Sequence, residues 1–249
     1  MFYYSYLGYF NYLLWMLPAL ILSAVAQFKV KSAYSKNSKI QNSRGLTGAE
    51  AARQVLLRHN ITNVSIVPVA GKLTDHFDPR TNTIRLSEGV YNATTIAAVG
   101  IAAHEAGHAV QHAEGYAPNK LRSVLVPITN FGSRIGWILI IIGLIMSGYY
   151  SYSDSSGSAL TNDISGMFLL LGVILYSTSL IFTLVTLPVE FNASKRALAT
   201  IKSNNLLVGE EFKGAKQTLT AAALTYVAAA VTALLQLLRV IIMISRRRD

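Results

Sequence analysis

Three long apolar segments constrain the fold of this chain more than any other feature. They cover residues 7–28, 124–149 and 164–187, and a helix needs roughly 20 residues to cross the hydrocarbon core of a bilayer. Charged residues make up only 14% of the chain, against about 25% in soluble domains. The sequence therefore predicts an integral membrane protein. The first segment lacks the basic residues that precede a signal peptide, so we expect an uncleaved anchor.

Lysine and arginine predict the orientation of these segments. Of the 22 basic residues, twelve lie within residues 29–123 and five within residues 195–216, whereas the Ser-rich connector 150–163 has none. By the positive-inside rule, residues 29–123 and those from 188 onward face the cytoplasm, and the connector faces out. The same rule explains the net charge of +10, so no nucleic-acid partner is expected.

A fourth apolar stretch, residues 219–244, does not fit this pattern. It contains Gln236 and Arg239 and is followed by three consecutive arginines. It either crosses the membrane as a fourth span, which places those arginines outside, or packs on the cytoplasmic domain with its end at the inner interface. Its first half is rich in small residues, which suit close helix packing. We expect the second arrangement.

His104, Glu105 and His108 form an H-E-x-x-H motif inside an Ala-rich stretch that predicts a helix. Two histidines four residues apart share a helix face, so both imidazoles can reach one metal ion. The glutamate between them can take a proton from a water molecule without binding the metal. The competing interpretation is two histidines that contact only solvent or backbone. The apolar residues before the motif favour a metal, because a buried glutamate costs less beside a cation.

Catalytic zinc usually has three protein ligands, so a third must lie outside the motif. The chain has no cysteine, which leaves histidines and carboxylates. The metzincin pattern is excluded, because Glu114 stands where its third histidine would be and Gln111 where its glycine would be. His112 lies one turn beyond His108, too far along the helix axis to complete the site.

Glu190 is the better candidate for the third ligand. The second and third spans form a hairpin. This hairpin begins after the helix that carries the H-E-x-x-H motif, here called the metal helix, and it ends just before Glu190. Pro188 suits a new helical turn or a kink there. The alternative role for Glu190 is an ion pair with Lys195 or Arg196.

Residues 29–123 predict a small α+β unit around the metal helix. After a polar juxtamembrane linker, Thr47 and Glu50 form a capping box for a helix up to His59. Strands are predicted at residues 63–70 and 83–87, separated by turn residues. The strand before the metal helix is either an edge for an extended substrate or part of a purely structural hairpin.

The H-E-x-x-H motif, the membrane hairpin and residues 189–194 together resemble the YugP-type neutral zinc metallopeptidases of bacterial membranes. The resemblance covers most of the chain, including residues 73–79 and the segment near Tyr226. HtpX-type and CAAX-prenyl membrane proteases are more distantly similar. Those families typically place an aspartate that supports a ligand four residues after the glutamate, where this chain has Ser194. The resemblance implies a gluzincin-like fold and endopeptidase activity at the membrane face.

The sequence thus predicts a mainly helical α+β membrane protein with a gluzincin-like zinc-peptidase domain on the cytoplasmic face. The expected parts are an anchor (1–28), a catalytic part with the motif (29–123), a transmembrane hairpin (124–187) and a second catalytic part with the third ligand (188–249).

The predicted function is that of a multi-pass zinc endopeptidase of the EC 3.4.24 type in the bacterial plasma membrane. His104, His108 and Glu190 are the expected Zn²⁺ ligands, and Glu105 is the general base. Peptides or membrane proteins are the expected substrates, and a protein partner or a homo-oligomer is left open. The alternative is a weak or inactive zinc-binding scaffold, against which Glu105 argues. His76, Arg196 and Tyr226 are candidate oxyanion stabilisers.

Overall fold

The computed structural model describes residues 2–153 and 159–245. The middle of the Ser-rich connector and the three terminal arginines lie outside these ranges. Within them, the helices are α1 (Phe2–Asn37), α2 (Gly48–Arg58), α3 (Glu88–Tyr91), α4 (Ile96–Ala113), α5 (Ala117–Ser153), α6 (Ala159–Ser203) and α7 (Gly209–Ser245). The strands are β1 (Ser65–Val69), β2 (His76–Asp78) and β3 (Thr83–Ser87).

Four helices in the described part of the chain are long and apolar enough to cross a membrane. Their candidate segments are Leu14–Asn37, Ala117–Met146, Ile164–Ser203 and Gly209–Ser245. The expectation of a mainly helical protein with apolar spans is confirmed. The stretch 219–244 is helical, as part of α7, and its placement on the domain rather than through the membrane stays a prediction.

The chain divides into two compact units. The first comprises Met1–Ile21, Leu121–Val185 and Ala229–Asp249, and the second comprises Leu22–Lys120 and Thr186–Ala228. In the first unit, α5 and α6 approach closely where both carry glycine. A Cβ on Gly136 would lie 2.6 Å from the Tyr176 amide nitrogen, and one on Gly172 would lie 2.7 Å from Cγ1 of Ile140. Small residues thus allow the tight helix contact that is typical of membrane proteins.

In the second unit, α2 packs its apolar face against the metal helix α4. Thr47 and Glu50 form the predicted capping box, in which the Glu50 amide donates to Thr47 Oγ1 and the Thr47 amide donates to Glu50 Oε2. Four residues of α2 are fully buried on one face: Ala51, Ala52, Val55 and Leu56. Their spacing matches the helical period and gives α2 its buried stripe.

The described strands of the second unit form one mixed sheet of order β1-β3-β2. β3 pairs parallel with β1 and antiparallel with β2, and its Ile84 and Leu86 are fully buried. The prediction of a strand over residues 83–87 is confirmed. The suggestion that this strand offers a free edge is wrong, because β3 is central. β2, which the sequence did not predict, has only three residues and occupies an edge.

α1 continues past residue 28 into the region that was predicted to be a polar linker. Its last residue, Asn37, is 1% exposed. The Asn37 side-chain amide donates to the carbonyls of Ala33 and Gly214 and to Thr218 Oγ1. These contacts stabilise the helix end, since a buried amide must be hydrogen-bonded. The linker is therefore shorter than expected.

Candidate metal centre

α4 places His104 and His108 side by side. Its N-cap is Thr95, whose side-chain oxygen accepts the amide of Ala98 at 3.3 Å. The two imidazole rings lie 4.7 Å apart between centroids and almost perpendicular to each other, at 85°. Their Nε2 atoms are 3.2 Å apart. The four-residue spacing thus brings both nitrogens to one point, as the motif predicts.

Glu190 reaches the same point from α6. Its Oε2 atom lies 3.3 Å from His104 Nε2 and 3.5 Å from His108 Nε2, and its side chain is only 3% exposed. Among the described residues, these three form a group whose ligand atoms all lie within 4.8 Å of one another. α6 passes through Pro188 without interruption, so the expected new turn is not needed to bring Glu190 there.

Gly107, within the motif, allows α6 to approach α4 this closely. A Cβ at this position would lie 2.6 Å from the carbonyl oxygen of Ala193, a distance that real side chains do not show. The backbone of α6 therefore occupies the space that any larger residue would need. Ala193 lies close to Glu190 in the same helix, so this contact helps to place the carboxylate.

Gln111 determines which ring nitrogen of His108 carries the proton. Its Nε2 donates to the Val189 carbonyl at 2.7 Å and to Asn192 Oδ1 at 3.0 Å. A carbonyl can only accept, so the amide must face it with its NH₂ group, and its Oε1 then faces His108 Nδ1 at 3.0 Å. Nδ1 must therefore carry the proton of a neutral ring, which leaves a lone pair on Nε2.

Ser194 supports His104 in a similar way. Its Oγ lies 3.0 Å from His104 Nδ1 and can accept the proton of that nitrogen. The serine takes the position where the similar families place an aspartate, so a neutral hydroxyl replaces a charged acceptor. With both Nδ1 atoms engaged, two Nε2 lone pairs and one carboxylate face a common point. Two neutral imidazoles and a carboxylate suit catalytic zinc, so the residues present fit this metal.

The electrostatics of the site favour a cation. Burial lowers the pKa of His108, but the nearby carboxylates of Glu190 and Glu105 outweigh burial and raise the pKa above its ordinary value. A field that favours a proton on His108 also favours a divalent cation at the same point.

Comparison with known proteins agrees with a zinc site. The sequence profile of the family described as "Putative neutral zinc metallopeptidase" matches residues 12–245. The chain belongs to this family. It is 42% identical over 233 residues to the "Putative membrane protease YugP" of Bacillus subtilis (strain 168), an alignment that covers 94% of this chain and 96% of that protein. No solved structure matches. The expected resemblance to the YugP-type metallopeptidases is confirmed.

Two further residues close to the motif, His112 and Glu114, lie outside the group. His112 is exposed, and its ring contacts Phe77 at 5.7 Å between centroids. Glu114 pairs with Arg196 at 2.6 Å and with His59 at 3.2 Å. Arg196 is therefore engaged by Glu114, and the alternative ion pair between Arg196 and Glu190 is not formed.

A cavity of about 160 Å³ opens beside His104 and Glu190. His104, Glu105 and Glu190 line one part of it. Of the candidate oxyanion stabilisers, Tyr226 lines the cavity, whereas Arg196 donates to Asn192 Oδ1 and His76 contacts the Thr74 carbonyl. The motif glutamate Glu105 and the candidate ligands His104 and Glu190 thus line one cavity.

Proposed function

We propose that this chain is a zinc endopeptidase of the EC 3.4.24 type that cleaves membrane or membrane-proximal proteins at the cytoplasmic face of a bacterial plasma membrane. The convergence of His104 Nε2, His108 Nε2 and Glu190 Oε2 carries the proposal. Its catalytic part is gluzincin-like, with two histidines on one helix and a glutamate on a later one. Family membership supplies the class of activity, and the remaining details rest on the arguments below.

His104, His108 and Glu190 would hold the metal. When bound there, zinc polarises the scissile carbonyl and makes a water molecule acidic enough to attack near neutral pH. The protein must keep three ligand atoms in place before the metal binds. Gln111 and Ser194 contribute by accepting hydrogen bonds from the Nδ1 atoms of the two histidines. Neither histidine then has to rotate or change its tautomer when the metal binds.

Glu105 is the proposed general base. It lines the cavity beside His104 and Glu190, but its carboxylate is outside the metal-binding group. It would take one proton from the attacking water and deliver it to the nitrogen of the leaving amine. A single carboxyl group can serve both steps, because it is deprotonated before the water attacks and protonated before the amine leaves.

The cytoplasmic assignment rests on charge. Residues 29–123, which carry the motif, hold twelve of the 22 lysines and arginines, and the connector 150–163 holds none. Basic residues near span ends are retained on the cytoplasmic side during insertion. Substrates would therefore be cytoplasmic or juxtamembrane segments of proteins that reach the inner face of the bilayer.

Glu105→Gln is the decisive variant for the enzymatic proposal. Glutamine keeps the size and can still hydrogen-bond to water, but it cannot take a proton. Loss of a general base typically costs about 10²–10⁴-fold in rate, so the purified full-length variant should bind zinc normally and cleave a denatured protein substrate barely at all. Glu88→Gln, the same change on the exposed first turn of α3, is the matched control and should leave cleavage unchanged.

Equal cleavage by the wild type and Glu105→Gln would rule out the proposed mechanism. If neither cleaves any substrate while both bind zinc and a protein partner, the chain is a zinc-dependent scaffold. Zinc content and thermal unfolding of each variant show that a loss of cleavage does not come from a loss of fold.

A further inference from the structure

Leu73 has an unusual backbone conformation for a leucine. Its φ is +56°, in the left-handed region that residues with a Cβ other than asparagine and aspartate rarely adopt. Its side chain is 55% exposed, so burial in the core does not explain the choice of residue either. Local backbone preference and solvent contact both disfavour leucine at this position.

The segment around Leu73 is held in place from both ends. Before it, Gly71 has a φ of +106°, and the Thr74 hydroxyl donates to the Ala70 carbonyl at 3.1 Å. After it, Asp75 Oδ1 accepts the Ser87 amide at 2.7 Å and the Ser87 hydroxyl at 3.0 Å. Ser87 is the last residue of the central strand β3. The surrounding contacts therefore hold Leu73 in the left-handed conformation. Strained backbone of this kind persists where neighbouring contacts hold it, and in proteins it is concentrated at functional sites.

Leu73 lines the cavity that contains His104, Glu105 and Glu190. The apolar part of the lining comes from α1, α4, α7 and the Leu73 segment, beside polar lining residues such as Tyr34, Asp75 and Thr218. Its residues are Val30, Leu73, Ile101, Leu219, Ala222 and Ala223. Apolar side chains combined with a small number of polar groups are typical of pockets that bind part of a ligand.

We propose that Leu73 is a specificity-determining residue that contacts an aliphatic side chain next to the scissile bond. The inference rests on the proposed peptidase function and adds the substrate class: peptide segments with leucine-like residues at the cleavage site. The apolar lining residues recognise the aliphatic side chain by excluding water, and Leu73 is one of these lining residues. A cleavage site of this kind fits the apolar ends of membrane segments.

The test uses two quenched fluorogenic peptides. One contains alanine, glycine, serine and a single leucine, and its twin has serine in place of the leucine. The purified full-length wild type should cleave the first beside the leucine with a kcat/KM at least about tenfold higher than the second, because small changes in an apolar pocket are worth about 10–200-fold in discrimination. Leu73→Asn should reduce that ratio about tenfold, with its zinc content unchanged.

Three further measurements separate specificity from structure. Leu73→Met keeps an apolar side chain of similar volume and should retain the ratio within about threefold. Leu73→Asn should not lower the unfolding temperature, since asparagine tolerates this φ better than leucine does. Leu57→Asn removes another exposed leucine, on α2 and 50% exposed, and should leave the ratio unchanged. Leu73→Gly serves in place of Leu73→Asn if that variant does not fold.

Each result decides a different claim. Cleavage of neither peptide, nor of any protein, by the wild type would contradict the proposed function itself. Cleavage of both peptides at equal rates, or an unchanged ratio in Leu73→Asn, would overturn the role of Leu73 and leave the peptidase proposal intact. A fall of more than about 5 °C in the unfolding temperatures of both Leu73→Asn and Leu73→Gly would make Leu73 a structural residue and also overturn it.

Discussion

Gln111 links the two parts of the candidate metal site that are farthest apart in sequence. One side of its amide faces His108, and the other donates to Val189 and Asn192 on either side of Glu190. The side chain is fully buried, and Asn192 Oδ1 also accepts from Arg196 Nε at 2.7 Å. A single residue therefore orients one proposed ligand and holds the helix turn that carries another.

Replacing Gln111 by methionine should weaken zinc binding about 10–100-fold, the usual effect of removing a partner of a ligand. Methionine keeps the length of the side chain, but it neither holds the His108 proton nor donates to α6. Competition with a zinc chelator measures the affinity. Gln54→Met, the same change on the exposed face of α2, is the control and should leave the affinity unchanged.

Unchanged zinc affinity in a folded Gln111→Met protein would contradict this role. Ser194→Ala provides a second comparison, because it removes only the partner of His104 and leaves α6 attached through Gln111. We expect its effect on zinc affinity to be the smaller of the two.

At the scale of residues, the sequence predicts those site residues whose role follows from their spacing along the chain. His104, Glu105 and His108 follow from a five-residue motif, and Glu190 follows from the position of the membrane hairpin. Gln111 gave no such signal, because its role depends on contacts with Val189 and Asn192, far along the chain. Its position three residues after His108, on the same helix face, is the one local indication that it could reach that ring.

At the scale of elements, the packing of α4 on α6 determines the site. Gly107 lets the two backbones meet at Ala193. Another glycine of α4, Gly100, faces α7, where an added Cβ would lie 3.4 Å from Ala215 Cβ, an ordinary contact distance. The two glycines have the same helix propensity and differ only in what surrounds them.

Gly107→Ala should therefore destabilise the protein by about 1–3 kcal/mol, the usual range for overpacking, and reduce zinc binding by displacing Glu190. Gly100→Ala should be neutral or stabilising by up to about 1 kcal/mol, because alanine favours a helix. Thermal unfolding of both variants in detergent measures the difference. Equal unfolding temperatures for the two variants would show that the α4–α6 contact is not tight.

The elements that the sequence missed are short or depend on distant contacts. α3 has four residues and β2 has three, too few for a periodic pattern to show. The extension of α1 to Asn37 depends on acceptors in α7, more than 170 positions away in the chain. The long helices and the strand at residues 83–87 were predictable, because length or flanking turn residues define them.

At the scale of the molecule, the exposed apolar surface agrees with a membrane environment. In α1, Leu14, Leu17 and Ile21 are 51%, 46% and 55% exposed, with the spacing of one helix face. Such a row is unfavourable in water and favourable in lipid. The lipid bilayer is thus the expected solvent for these faces.

The charge distribution predicts that the connector faces out, and single cysteines test this in a chain that has none of its own. A membrane-impermeant maleimide added to intact cells should label Ser155→Cys and should not label Arg53→Cys or Asp249→Cys. Labelling of Asp249→Cys from outside would make α7 a true fourth span. Labelling of Arg53→Cys would reverse the proposed orientation of the active site.

The zinc content of three purified proteins tests the proposed metal site most directly. The wild type should contain equimolar zinc after dialysis, Glu190→Ala should lose most of it, and His112→Ala should keep it. Glu190 lies within 3.5 Å of both motif histidines, whereas His112 is exposed and contacts Phe77. Full zinc in Glu190→Ala together with loss of zinc in His112→Ala would contradict the proposed ligand set.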